Sequence, residues 1–442
     1  MRNHWPELFL GIYKFAGMCG DKHVDIQVLD QAVHDVLSVM PNQTGHLARL
    51  RRLILAGNFP TITVIGKYNH GKSRLLNELI GTDIFSVADK RETINLAEHL
   101  HNNVRWLDAP GLDADVATVD DDYAYDAVWT QADIRLFVHS IREGELDAVE
   151  HQLLAQLIED LEYSQRQTLL VLTQIDQMPD QEIFGQIKQS IASQIPQLNA
   201  LPVSATRHRQ GIENSKTLLV EKSGILTLRS ALHHAIEHVP FARRHEKAKR
   251  FSDLCQQLDQ LQQEQQMLQQ QLQQKQTQQL QDFEEGLLKV LDKIRIDLEP
   301  IVNVSGKDEA LNPDSFATMF KNTAAKQQRA KVQIAYSRAC IDINSHLIRH
   351  GVVGLPEDQQ TQVKSIDTVI VAVFGISVKF RDHLRTLFYS DAERERMQRE
   401  FRFYFEKSAG RQALAVQLAQ LAEKQIQINL AYTALNMLED AA

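Results

Sequence analysis

The chain has 442 residues, 48 of them basic and 57 acidic, for a net charge of −9. An apolar share of 43% with 24% charged residues excludes a wholly disordered chain. Three cysteines, Cys19, Cys255 and Cys340, exclude a disulfide scaffold and suit a reducing compartment, and net acidity argues against bulk nucleic-acid binding.

The first twenty residues are apolar in places, but Glu7 and Lys14 interrupt the run and make a poor secretory signal. No stretch reaches the roughly 18–20 uninterrupted apolar residues of a spanning helix. The expectation is a cytoplasmic protein, with peripheral contact to the inner face of a membrane left open. Leu29, Val33, Val36, Leu37 and Met40 recur at spacings of three and four and predict a helix, broken at Pro41-Asn42. A second helix, HLARLRRLILAG, ends at Gly57.

The period then changes. TITVIG, from Thr61 to Gly66, is β-branched and apolar and reads as a buried strand. Further strands are expected at Val104–Leu107, Ile134–Val138, Leu169–Leu172 and Leu201–Val203, with helical stretches between them. This alternation to about residue 238 predicts an α/β domain with a mostly parallel sheet and helices on both faces. After Pro240 the strand signal ends. A glutamine-dense run over about 256–281 carries Leu254, Leu258, Leu261, Leu268 and Leu272 in helical phase, with Gln265 and Lys275 weakening the seam. That predicts a coiled-coil or bundle helix over about 245–299. A loop is expected at 301–314, helices over 315–350 and 383–440, and between them the apolar window 366–378 flanked by Lys364, Lys379 and Arg381. The expected division is an N-terminal helical segment (1–57) packing with the C-terminal bundle, an α/β domain (58–238) and a helical bundle (239–442).

The chemistry sits where TITVIG runs into GKYNHGKS, which fits G-x-x-x-x-G-K-[ST] with a strand before it and an amphipathic helix after it. Gly66 and Gly71 let the backbone wrap so that the N–H groups of Asn69, His70, Lys72, Ser73 and Arg74 can face phosphates at a helix N-terminus. Lys72 would reach the β- and γ-phosphates and Ser73 would supply an oxygen to Mg²⁺. Three further signals follow in the order that a guanine-nucleotide domain requires. WLDAPG offers Asp108 for the Mg²⁺ and the Gly111 N–H for the γ-phosphate. Thr173-Gln174-Ile175-Asp176 follows a strand, and Asp176 can accept from guanine N1–H and N2–H₂, which adenine lacks. Ser204-Ala205 can present a backbone N–H to guanine O6. A mobile threonine for Mg²⁺ and the γ-phosphate is expected at Thr93, with Thr82 and Ser86 as competitors.

With those residues on view, 58–238 resembles a GTPase domain of the translation-factor-related, Era-like class. The longer string LRRLILAGNFPTITVIGKYNHGKSRLLNELIG resembles the bacterial dynamin-like GTPases in particular, including Leu75, Leu76 and Asn77 after the phosphate loop. The resemblance implies GTP and GDP as ligands, Mg²⁺ held by Ser73, Thr93 and Asp108, and hydrolysis resting on Lys72, Thr93, Gly111 and Asn69. It also implies one elongated helical bundle built from both chain ends. Asn69 stands where cation-dependent relatives bind K⁺, so K⁺ beside the phosphates is a further expectation. Three positions depart from the family pattern: Gln174 replaces a lysine that lies over the base, Arg74 replaces a small hydroxyl residue, and Leu112 stands where many small GTPases have a water-orienting glutamine. His70 reads as a loop filler or a contact across a dimer.

The resemblance implies coupling of nucleotide state to self-assembly, as a homodimer or larger, and to membrane remodelling, with 366–378 either a lipid-inserting tip or a buried helix. Two alternatives compete: a weakly hydrolysing switch that recruits a protein partner through the coiled coil, and an Era-like GTPase acting on RNA or the ribosome. The last needs a basic surface. RRHEKAKR (243–250) is the only dense basic run and reads as a solvated helix face, so nucleic acid is not expected as a partner.

Overall fold

The computed structural model describes residues 25–85, 97–109, 125–178, 180–313, 315–316, 319–363, 368–375 and 378–442. Contacts divide the chain into two compact units, Met1–Gln260 with Gln427–Ala442, and Leu261–Ile426. The boundary expected at 238 falls inside one continuous helix, Ile225–Val302.

The first unit opens with α1 (Ile26–Val39), capped by the Asp25 carboxylate on Gln27 N–H, and α2 (Thr44–Leu55), joined through a single turn at Pro41–Gln43. Its sheet holds β1 (Thr61–Ile65), β2 (Ala97–His101), β3 (Val104–Asp108), β4 (Ile134–Ser140), β5 (Gln167–Thr173) and β6 (Ala200–Pro202). The order is β2-β3-β1-β4-β5-β6, antiparallel only between β2 and β3. Alternate residues serve opposite faces. Ile62, Val64, Leu136 and Val138 pack with Leu75 and Leu79 of α3 (Lys72–Ile80) and with Ile225, Leu228 and Leu232. Ile65, Phe137, Leu170 and Leu172 point the other way, toward Leu154 and Leu157 of α4 (Ala148–Ser164) and Ile191 of α5 (Gln181–Gln194). Short helices α6 (Ala205–Glu213) and α7 (Thr217–Glu221) lead into α8 (Ile225–Val302).

Strand β2 was not expected. AEHLH alternates half-buried and exposed residues at a sheet edge and has little β-branched content. The readable signal is Asn102-Asn103, both at positive φ (47° and 60°), the two-residue hairpin turn that joins β2 to β3.

At the N-terminal edge of the parallel strands lies a buried ion network. Arg49, 2% exposed, donates to Glu246 Oε2 at 2.8 Å and to Thr130 O at 2.9 Å, and lies 3.4 Å from Asp133. Asp133 accepts from the Thr61 N–H at the start of β1 (2.8 Å) and from Arg243 Nε (3.0 Å). Arg250 joins Glu246 at 2.9 Å, and Arg166 donates to Trp129 O and Asp160. The carbonyls of Trp129 and Thr130 belong to a π-helical turn, Asp126–Gln131. The basic run 243–250 is therefore a solvated face only in part: Arg244, His245 and Lys249 are exposed. Arg243, Glu246 and Arg250 turn inward because buried carboxylates need partners.

In the second unit, Phe283, Leu287, Leu291, Ile294, Leu298 and Val302 of α8 share one core with α9 (Ala324–Arg349), α10 (Val369–Phe374), α11 (Arg381–Tyr389) and α12 (Asp391–Glu406). The last helix, α13, is Ala409–Ala441. Val369, Ile370, Val373 and Val378 are buried in that core, so the described part of 366–378 is a packed helix and not an exposed apolar tip. Of its expected basic flank, Lys379 is exposed, whereas Arg381 is buried, 3.4 Å from Asp308, and donates to Val304 O; Lys364 lies outside the described residues. The leucine seam of the glutamine run is uneven. Leu254 and Leu258 are fully buried, whereas Leu268 is 43% exposed. No described helix is long and apolar enough to cross a membrane.

Candidate nucleotide site

The loop between β1 and α3 is shaped by backbone that few residues accept. Gly66 has φ +148°, and a Cβ there would lie 2.1 Å from Val138 O, so the loop leaves the sheet through a gap only glycine fits. Asn69 (φ +61°) and Gly71 (φ +82°) complete the turn, and Gly71 is the N-cap of α3. Lys72 Nζ donates to Gly66 O (2.9 Å) and Lys67 O (2.8 Å), which holds the ammonium within the loop. Ser73 Oγ donates to Asp108 Oδ2 at 2.6 Å. A hydroxyl and a carboxylate brought together beside a helix N-terminus make a hard-oxygen pair that fits Mg²⁺. Burial pushes the Asp108 carboxyl up, against the Ser73 hydrogen bond and the Lys72 charge. A nearby cation would reverse that shift.

The loop is braced from β5. Thr173 Oγ1 donates to His70 O (2.6 Å) and Gln174 Nε2 to Asn69 O (2.8 Å), while Gln174 Oε1 accepts from Ser140 Oγ (3.0 Å). Gln174, at φ +61°, thus supports the loop through its amide. Two residues on, the half-buried Asp176 accepts from Ser204 Oγ at 2.5 Å, and the same hydroxyl caps α6 on the Arg207 N–H. Ala205 follows as the first residue of α6. The two segments expected at a base are therefore in contact. Arg74 is exposed on the first turn of α3, and Asn69 is exposed. Thr93, Gly111, Leu112 and Ser86 lie outside the described residues.

The family comparison turns on this strand–loop–helix. Residues 61–174 match the 50S ribosome-binding GTPase family. An uncharacterized protein of Acinetobacter baylyi, ACIAD1443, is 71% identical over 419 residues, which covers 95% of this chain and all of that protein. The chain belongs to that protein's family, and its 61–174 segment is a P-loop GTPase domain. The GTPase Era of Heliobacterium modesticaldum is 24% identical over 166 residues, 36% of this chain and 54% of Era, so the chain spans about half of that relative. A solved bacterial dynamin pair is 14% identical, with a TM-score of 0.35 over 94% of this chain and 79% of that one.

The GTPase domain also holds a cluster that no sequence signal pointed to. His70, fully buried, lies 3.1 Å from Glu143 through Nε2 and 3.2 Å from Val138 O through Nδ1. His139, behind it on β4, is 2.9 Å from Glu150 through Nδ1 and 3.0 Å from Gly144 O through Nε2. Lys67 pairs with Asp147 and lies 3.8 Å from Glu150 Oε2. Burial pulls His70 down despite its acceptors, whereas at His139 burial is outweighed by Glu150 and the imidazole is pushed up. Asp147 and Glu150 form the capping box of α4, a local pattern that says nothing of the phosphate loop beside it. His70 is thus not an exposed dimer contact; it is packed inside the loop.

Proposed function

We propose that this protein binds GTP with Mg²⁺ and hydrolyses it to GDP, and that nucleotide state is coupled, in a dynamin-like manner, to self-assembly and to peripheral contact with the cytoplasmic face of a membrane. The observation that carries the nucleotide part is the 2.6 Å Ser73–Asp108 pair beside Lys72, with Asp176 and Ser204 joined at the end of β5. In this reading Ser73 and Asp108 hold Mg²⁺, with Thr93 added in the GTP state. Lys72 and the amides of Gly71 to Arg74 take the phosphate charge, and the Gly111 N–H meets the γ-phosphate. Mg²⁺ screens the phosphate oxygens when bound. Asp176 takes guanine N1–H and N2–H₂, Ala205 N–H the base oxygen, and Gln174 and Thr173 hold the loop. Asn69 is the K⁺ contact, and water is oriented by backbone, a partner or that ion, because Leu112 cannot do it. The 1–57, 58–238 and 239–442 division is kept as a functional one, and α8 with its exposed Leu268 is the surface for a protein partner.

The test is GTP turnover by the purified chain in K⁺ and in Na⁺, with and without anionic liposomes, beside Lys72→Ala. Turnover that liposomes raise and the substitution abolishes supports the reading, and K⁺ dependence gives Asn69 its role. Binding without turnover replaces it with a nucleotide switch. Ribosome-dependent turnover would favour the Era-like alternative, which the inward-turned Arg243 and Arg250 disfavour. Asp176→Asn should exchange acceptor for donor at the base and shift preference from GTP to the xanthine nucleotide, whose C2 carries an oxygen, by at least about tenfold in Kd. Unchanged preference would remove Asp176 from the base site.

A further inference from the structure

We propose that His70, His139 and Glu150 form a binding site for a divalent transition-metal ion of the zinc or cobalt class, on the inner side of the phosphate loop. All three residues are buried, and their ligand atoms lie within 4.8 Å of one another. The reason is the placement of their ring nitrogens. Each imidazole presents both ring nitrogens to acceptors: His139 to Glu150 and Gly144 O, His70 to Glu143 and Val138 O. A neutral imidazole has one N–H and one lone pair. In the tautomers with His139 Nε2–H on Gly144 O and His70 Nε2–H on the Glu143 side, both Nδ1 atoms carry lone pairs near Glu150 Oε1. Glu150 Oε1 is 2.9 Å from one and 3.7 Å from the other.

An ion bound to both Nδ1 atoms and Glu150 Oε1 would use both lone pairs and the carboxylate charge. Tetrahedral ions with ligands at 2.0–2.1 Å have ligand–ligand edges of about 3.3 Å, which the observed 2.9 and 3.7 Å bracket. Both Nε2–H groups would then meet a carboxylate and a backbone carbonyl, the outer contacts that hold metal-bound histidines in place. Lys67 lies near the other carboxylate oxygen, Oε2, and leaves Oε1 to the ion. Two imidazoles and one carboxylate favour zinc, cobalt or nickel over Mg²⁺ or Ca²⁺. The rings meet edge to face, 5.4 Å between centroids. The consequence reaches the loop itself. His70 O and Asn69 O accept the two braces from Thr173 and Gln174, so a metal-anchored His70 would fix the phosphate loop from behind. This inference does not depend on which nucleotide the loop takes.

The test uses tag-free, chelator-treated, nucleotide-free full chain titrated with Co²⁺, read by calorimetry and by visible ligand-field absorption. One equivalent with a tetrahedral-type spectrum is expected. His139→Gln and Glu150→Gln should weaken it at least about tenfold, while His234→Ala, at an exposed histidine, should leave it unchanged. Glutamine at 150 keeps the reach of the capping residue, and far-UV circular dichroism checks the fold. X-ray absorption of the wild type gives a reading independent of any variant: two imidazoles with oxygen support the site. No stoichiometric Co²⁺, an equivalent that persists in Glu150→Gln, or a first shell lacking imidazole would overturn it.

Discussion

The two ends of the same sheet hold polar groups in opposite ways. At the C-terminal ends of β1 and β5 the phosphate loop is kept by a few hydrogen bonds to backbone, from Lys72, Thr173 and Gln174. Glycine at Gly66 and Gly71 gives the loop its turns at positive φ. At the other end, Arg49, Asp133, Glu246 and Arg250 saturate one another and are shut from water. One end is prepared for an anion that comes and goes. The other welds α2, β1, the π-helical turn and α8 into one block. The contrast is that of a site and its foundation: weak, replaceable contacts permit exchange, whereas a buried charge set is costly to disturb.

The sharpest way to break the contrast is Arg49→Ala. It leaves Glu246 and Asp133 buried with fewer partners and should destabilise the first unit by about 3–5 kcal/mol, read by urea unfolding. A loss under about 1 kcal/mol would mean that water or Arg250 replaces the guanidinium and that this end is not closed. Lys72→Ala, at the other end, should lower turnover about 10²–10³-fold while leaving the unfolding midpoint nearly unchanged. A comparable loss of stability would erase the distinction.

Acid provides a third measurement. The guanidiniums around Glu246 outweigh its burial and hold its carboxyl down, from 4.5 to about 2. A depressed acid stabilises the folded state fully above its unfolded value, near 4.5, and loses that contribution as pH falls toward 2. The drop should approach roughly 3 kcal/mol, measured as unfolding free energy against pH, and Arg49→Ala should shrink it. The smallest effect is expected from Gln174→Ala. It removes one brace worth about 1 kcal/mol and should weaken nucleotide binding about fivefold by calorimetry, with thermal stability almost unmoved.

How far each end could be read from sequence follows from the same difference. The phosphate loop is legible because its geometry depends on residues close together, GKYNHGKS after TITVIG, and the strands β1, β3, β4 and β5 are legible because both their faces are largely buried. The foundation is not legible. Arg49, Asp133, Arg166 and Glu246 are far apart in the chain, and a lone arginine on an amphipathic helix looks like any solvated residue until the fold brings acids to it. RRHEKAKR was misread in part for this reason: Arg243 and Arg250 turn inward while Arg244 and Lys249 stay exposed. The window 366–378 is an instance of apolar composition that fits two environments; only its packing against Phe401 and Phe388 selects the core. Likewise, His139 and Glu150 carry no motif, and His70 gains its partners only through the β1–β4 pairing.

Gly66 carries a consequence in genetic terms. Its side chain would need to occupy the space of the Val138 carbonyl oxygen, 2.1 Å away, so the obstacle is the main chain of β4 and not any one neighbour's identity. No second-site replacement at position 138 can move that oxygen, because every amino acid brings the same one. A missense change at codon 66 should therefore lack intragenic suppressors at the position it collides with, and recovery of function should come from reversion or from changes elsewhere that let the β4 main chain shift.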